Sequence, residues 1–229
     1  MKLLSSLAIV STCFFVSPAR AADGYKIAAA DLGLPAEVSA EVGQLMAPQA
    51  FKVTSGTRTL CEIWLRKAVP VQADFAPSQT VLYPFDVGQV VGVIRYPRKT
   101  TDYRNQEIGA GVYTLRYGLQ PVDGNHVGTS ETRDFLLLSP AAEDKDPAKL
   151  EAEDLYKFSR DASETTHPAI LPMQAVSPDA DAAALPAMVH SEAGELWSVL
   201  VKGTTSTGEQ DGQKEEKLVQ FVVVGHAPE

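Results

Sequence analysis

The 229 residues carry 20 basic and 29 acidic side chains, a net charge of −9, with 45% hydrophobic residues and two tryptophans. So acidic a chain lacks the basic surface that phosphate contacts demand, which excludes nucleic acid as an expected partner. Of the two cysteines, Cys13 falls in the leader described next, so no internal disulfide is expected and the core alone must hold the fold.

Lys2, the apolar run from Leu3 to Val16 and the small-residue site Ala19-Arg20-Ala21 read as a cleavable export signal over residues 1–21. Ser5, Ser6, Ser11 and Thr12 dilute that run too far for a permanent anchor, and no later stretch approaches the ~20 apolar residues of a spanning helix. Val10-Ser11-Thr12-Cys13 faintly resembles a lipoprotein cleavage box, but Thr12 is bulkier than the residue usual before a lipidated cysteine, so Cys13 is assigned to the removed signal. Cleavage after Ala21 places the protein outside the cytoplasm, secreted or periplasmic, as a single β-rich domain over 22–229 with a sub-lobe allowed after 165. Losing Lys2 and Arg20 takes the net charge from −9 to −11. Cys61 shares an alternating face with Ile63 and Leu65, which predicts a buried, inert thiol.

A first helix is expected over 35–46, where Pro35 opens a run with Val38, Val42, Leu45 and Met46 at helical spacing. Period-two segments follow. Phe51 and Val53 lead to a turn at Ser55-Gly56, and Arg58–Lys67 returns with Cys61, Ile63 and Leu65 opposite Glu62, Trp64 and Arg66. Further strands are predicted at Val81–Phe85, Val90–Tyr96, Val112–Leu119 and Phe135–Leu138. Asp146 and Pro147 predict a second helix over 147–160, with Ala148, Ala152, Leu155 and Phe158 along one stripe. Strands resume at Ala169–Met173, Leu185–His190, Leu196–Lys202 and Lys217–Val224, the last apolar on both faces except Gln220, as befits a central strand. Gly203–Glu216, without a large apolar residue, reads as an exposed hairpin loop. Many strands and two short peripheral helices predict a mainly β fold, a β-sandwich of immunoglobulin-like or jelly-roll-like kind. The Gly111-Val112-Tyr113 strand entry suits a phenol that ties down a corner.

Motifs that dictate a mechanism are missing from the sequence: no His-Glu-x-x-His, no phosphate loop, no Gly-x-Ser-x-Gly elbow, no zinc-binding cysteine spacing. No cofactor, metal ligand set or catalytic residue is assigned. Asp144/Asp146 and Asp179/Asp181 lack the ligand spacing of a calcium loop and read as solvated carboxylates.

The connection after the Val112–Leu119 strand concentrates polar chemistry, and loops on a rigid sheet are where binding groups gather. Arg116, Gln120, Asp123, Asn125, His126 and Arg133 are its candidate ligand-binding residues. Arg116 and Arg133 suit an anion through bidentate hydrogen bonds, and His126 oriented by Asp123 suits a general base or a metal ligand. Asp123-Gly124-Asn125 is equally a standard turn, and Arg133-Asp134 can pair across strand ends. Should Arg66, Lys67, Arg95, Arg98, Lys99, Arg104 and Arg116 converge, they would receive an anionic sugar, a carboxylated metabolite or an acidic partner. The two tryptophans raise a carbohydrate reading. Trp64 lies on the polar side of its strand, where either solvent or a covering helix would meet it, whereas Trp197 lines up with Val199 and Val201 as core.

Leu60–Lys67, Gly111–Gly128 and Arg133–Leu138 together resemble an exported bacterial family of unknown function. That resemblance implies a secreted, sandwich-like protein and brings no substrate or catalytic residue. The expected function is an exported, non-enzymatic binding or accessory protein for a small molecule, a glycan or an envelope protein. Two alternatives stand beside it: a hydrolase or metal-assisted enzyme using Asp123 and His126, and a structural component of the cell envelope.

Overall fold

The computed structural model describes residues 24–123, 130–192, 194–208 and 212–227. Residues 1–21, expected to be an export signal, and the Asn125-His126 pair lie outside these residues. Strands β1 (Tyr25–Ala30), β2 (Met46–Ser55), β3 (Arg58–Arg66), β4 (Val69–Val71) and β5 (Val90–Tyr96) form the first half of the chain, with helix α1 (Ala40–Leu45) between β1 and β2. The short pair β6 (Thr100–Thr101) and β7 (Glu107–Ile108) follows, then β8 (Gly111–Leu119), β9 (Asp134–Pro140), helix α2 (Ala152–Ser163) and β10 (Ile170–Pro172). Three strands, β11 (Ala187–Ser191), β12 (Leu196–Thr207) and β13 (Gln213–Val224), complete the order.

The fold is mainly β. A seven-stranded antiparallel sheet runs β1-β2-β3-β5-β8-β9-β10, and a second sheet runs β11-β12-β13 with β4 added in parallel against the far end of β12. The sheet curls. At one end a bridge between Met173 and Phe221 joins the β10 edge to β13, and at the other β1 lies alongside β11. Tyr83 fastens the first of these seams, because its Oη donates to Gln174 O at 2.8 Å and accepts Gln220 N at 3.0 Å.

Alternation decides what fills the interior. Cys61, Ile63 and Leu65 of β3, Leu115 and Tyr117 of β8, and Leu136 and Leu138 of β9 meet Val199, Val201, Val219 and Phe221 of the second sheet in one apolar core. Burial pushes the Cys61 thiol well up, with Glu62 beside it adding to the effect, as expected of an inert buried cysteine. Over β3, β5 and β8 the opposite face of the large sheet is covered as well. Residues 32–46, including α1 capped by Ser39, lie across Trp64, Val90, Val93 and Val112. Trp64 is therefore 1% exposed and its indole N–H donates to Leu32 O at 3.3 Å.

Several element expectations shift. The first helix is shorter than 35–46, since Val38 N bonds Pro35 O in a separate turn before Ser39 starts α1. The second begins at Ala152 rather than 147, because Asp146 caps only a local turn through Ala148 N. Val81–Phe85 is not a strand. Leu82 N and Tyr83 N donate to the Asp134 carboxylate at 2.9 and 3.2 Å, and Pro84 has no N–H for a ladder. Gly203–Glu216 is not a loop either: its polar residues extend β12 and β13 as a paired ladder out to Thr207↔Gln213. β1, β4, β6 and β7 carry too little apolar periodicity to be legible in advance.

Tyr113 meets its expectation, with Oη donating to Gly109 O at 3.0 Å. Among the described residues no helix is long and apolar enough to cross a membrane.

Candidate ligand-binding site

Arg116 sits on β8, on the face turned away from the main core, and it is 0% exposed. A guanidinium has five N–H donors, and all five have partners. Nε and one Nη donate to the two carboxylate oxygens of Asp144 at 2.6 Å each, and the remaining bonds reach Gly88 O, Ala148 O and Asp146 O at 2.6, 2.8 and 2.5 Å. Thr114 adds its hydroxyl to the same carboxylate. Arg116 thus organises the 144–150 segment and has no donor left for a ligand, which removes it from the predicted anion clamp. Asp144, expected to be solvated, is 2% exposed for the same reason. Gly88 permits the close packing: a Cβ there would lie 1.9 Å from Leu150 O, on a backbone with φ +84°.

Gln120 and Arg133 do come together. They exchange a backbone bond of 2.8 Å, and Arg133 Nε donates to Gln120 O at 2.8 Å, which pins the ends of β8 and β9. Asp123 is exposed in the following turn. Asp134, next to Arg133, does not pair with it but accepts Tyr117 Oη at 2.6 Å beneath the Tyr83–Phe85 ring stack. Burial and the hydrogen bond to that carboxylate both push the Tyr117 phenol up.

Beside Gln120 lies a notch of about 70 Å³. Phe135, Leu137 and Ile170 make its apolar floor, and Arg104, Tyr156 and His167 join Gln120 on the rim. Arg104 is exposed, and the Tyr156 phenol, which donates to Leu119 O at 3.4 Å, is raised by burial and lowered by the Arg133 charge close by. Arg104, Tyr156 and His167 come from three separate segments, so no local sequence pattern points to them.

The other basic residues do not converge. Lys67 Nζ donates to Gln44 O at 2.7 Å, Arg95 Nε to Glu62 at 2.6 Å, and Lys99 pairs with Glu107. Arg66 reaches Val90 O at 3.2 Å, and burial followed by the nearby Arg116 charge lowers its pKa. Of the two readings of Trp64 the covered one holds, while Trp197, expected as core, departs from its expectation. Trp64 is buried, whereas Trp197 is part-exposed at the β1/β11 seam, stacked on His190 with ring centroids 4.3 Å apart. Among the described residues no group of three or more His, Cys, Asp or Glu side chains gathers as a metal site would require.

Comparison with protein-family models, with curated proteins and with solved structures returns no match.

Proposed function

We propose that this chain is an exported, non-enzymatic binding or accessory protein, and that its small-molecule site is the notch at the ends of β8 and β9. The notch supports this reading because an apolar floor with a few convergent polar groups is the usual make-up of a ligand pocket. Phe135, Leu137 and Ile170 would receive a compact apolar group, while Arg104, Gln120 and His167 on the rim would meet an anionic or hydrogen-bonding head. Arg133 supports the site by fixing Gln120. Asp123, Asn125 and His126 remain in the proposal from the sequence alone, the last two lying outside the described residues. Membership of an exported bacterial family, and a sandwich of immunoglobulin-like or jelly-roll-like type, belong to the same reading. The core shared by the two sheets and the Tyr113 corner support the sandwich.

Because the notch of about 70 Å³ admits only a very small group, thermal unfolding in a series of short carboxylates from acetate to butyrate tests the site. A ligand at about 100 times its Kd stabilises by about 2.7 kcal/mol, a rise of several degrees for a chain of this size. Arg104→Ala should lose the rise without lowering the unliganded Tm. No rise with any member, or an equal rise in Arg104→Ala, would remove the notch as the site.

A further inference from the structure

A second concavity, of about 490 Å³, opens at the other side of the large sheet, where the β2–β3 turn faces β6 and the end of β13. It falls within the ~300–1,000 Å³ range of small-molecule sites. Strand register explains its chemistry. Tyr25 of β1 pairs with Ser55 of β2, and Ser55 pairs with Arg58 of β3, so three polar side chains stand on one rung. Side chains of directly paired residues project to the same face. Thr100 and Thr101 add hydroxyls from β6, and Leu60 and Val223 make an apolar floor.

The rung continues into the second sheet through aromatic contacts. Tyr25 meets Trp197 edge to face with centroids 5.5 Å apart, and Trp197 is the register partner of His190, on which it stacks. Gly24 keeps the chain close to the indole, since a Cβ there would fall 2.4 Å from the ring. Tyr25, Ser55 and Arg58 thus line the groove, while Trp197 and His190 stand behind Tyr25 across the seam.

Within the groove, Arg58 is the basic residue without a partner among the described residues. Lys99 on the groove wall is neutralised by Glu107, whereas the exposed Arg58 guanidinium has no hydrogen bond or ion pair among the described residues. It stands beside three hydroxyl side chains and a phenol, with Glu107, the acidic residue of the lining, already paired to Lys99. Arginine pairs with carboxylates in bidentate fashion, hydroxyls match polyols, and flat rings accept the apolar faces of sugars.

We propose that this groove binds an acidic oligosaccharide, its carboxylate on Arg58, its hydroxyls on Ser55, Thr100 and Thr101, and a sugar ring against Tyr25, which Trp197 backs from outside the groove. The site is separate from the notch beside Gln120.

Titration calorimetry of the full mature chain with trigalacturonate at low ionic strength, with the methyl-esterified trimer and acetate alongside, tests it. Trigalacturonate should bind and perturb Trp197 fluorescence, a signal lost in Trp197→Phe. Arg58→Gln should weaken binding at least tenfold, the ester should bind the parent protein as weakly as trigalacturonate binds that variant, and Arg104→Ala at the notch should change nothing. No binding at millimolar trigalacturonate, equal affinity in Arg58→Gln, equal affinity for acetate, or loss of binding only in Arg104→Ala would each overturn the proposal.

Discussion

Arg116 and Arg58 begin from the same chemistry and end in opposite states. On β8, Arg116 lies under the 144–150 segment with every donor used, five hydrogen bonds and a carboxylate partner inside the chain. At the start of β3, Arg58 stands exposed on a rung of hydroxyls with no described partner. A saturated arginine can add only to stability, because any ligand would have to replace bonds already made. An unsaturated one adds little to stability and is available for recognition. Arginine identity in a sequence therefore says nothing about role until its partners are known.

The largest expected effect comes from breaking the saturated side. Asp144→Ala would leave the Arg116 guanidinium buried without its counter-charge, which destabilises by ~3–5 kcal/mol. For a chain of this length that lowers Tm by roughly 6–20 °C, measurable by calorimetry or urea unfolding. A loss below about 1 kcal/mol would mean that the carbonyls of Gly88, Asp146 and Ala148 hold the guanidinium unaided.

A smaller effect is expected at high pH, where the interior, not the groove, should respond. Burial pushes the Tyr83 phenol up to about 12 from 10, opposed by the Gln220 N–H and helped by the Asp134 charge, and it raises the Cys61 thiol from 9.0 as well. A group whose folded pKa is raised keeps its proton longer in the native state than in the unfolded chain. Its contribution is complete below the unfolded value and is lost as pH rises through the folded one. Denaturant midpoints should fall between pH 9 and about 12, and Tyr83→Phe should flatten the upper part of that fall. In the same range the native Cys61 should resist a thiol reagent that labels the unfolded chain at once. A midpoint constant up to pH 12 would contradict both assignments.

The same contrast explains what was legible in the sequence. Alternation correctly places Cys61, Ile63 and Leu65 on one face and Trp64 on the other, because a period of two is a property of the strand alone. What covers the second face is not a local property. Residues 32–46 cover it, so Trp64 is buried, and Trp197, whose strand neighbours Val199 and Val201 are core, is left at a seam. The Gly203–Glu216 ladder was hidden because its hydrogen bonds are backbone bonds, which carry no hydrophobic signal. The notch was half legible. Gln120 and Arg133 flank one connection, whereas Arg104, Tyr156 and His167 reach the rim only through tertiary folding. The Tyr25–Ser55–Arg58 rung depends on register across three strands, and β1 itself gave too weak a pattern to be placed.

The smallest stability effect belongs to the open side and sharpens the contrast most. Arg58→Gln removes an exposed charge with no described partner, and surface substitutions of that sort stay within about ±0.5 kcal/mol. Its urea midpoint should coincide with that of the parent protein, against the loss expected for Asp144→Ala. A drop of more than about 1 kcal/mol would show that Arg58 has an intramolecular partner, and would move it from the side of recognition to the side of Arg116. Coincident midpoints together with weakened trigalacturonate binding would separate the two roles cleanly, since no folding defect would then account for the lost affinity.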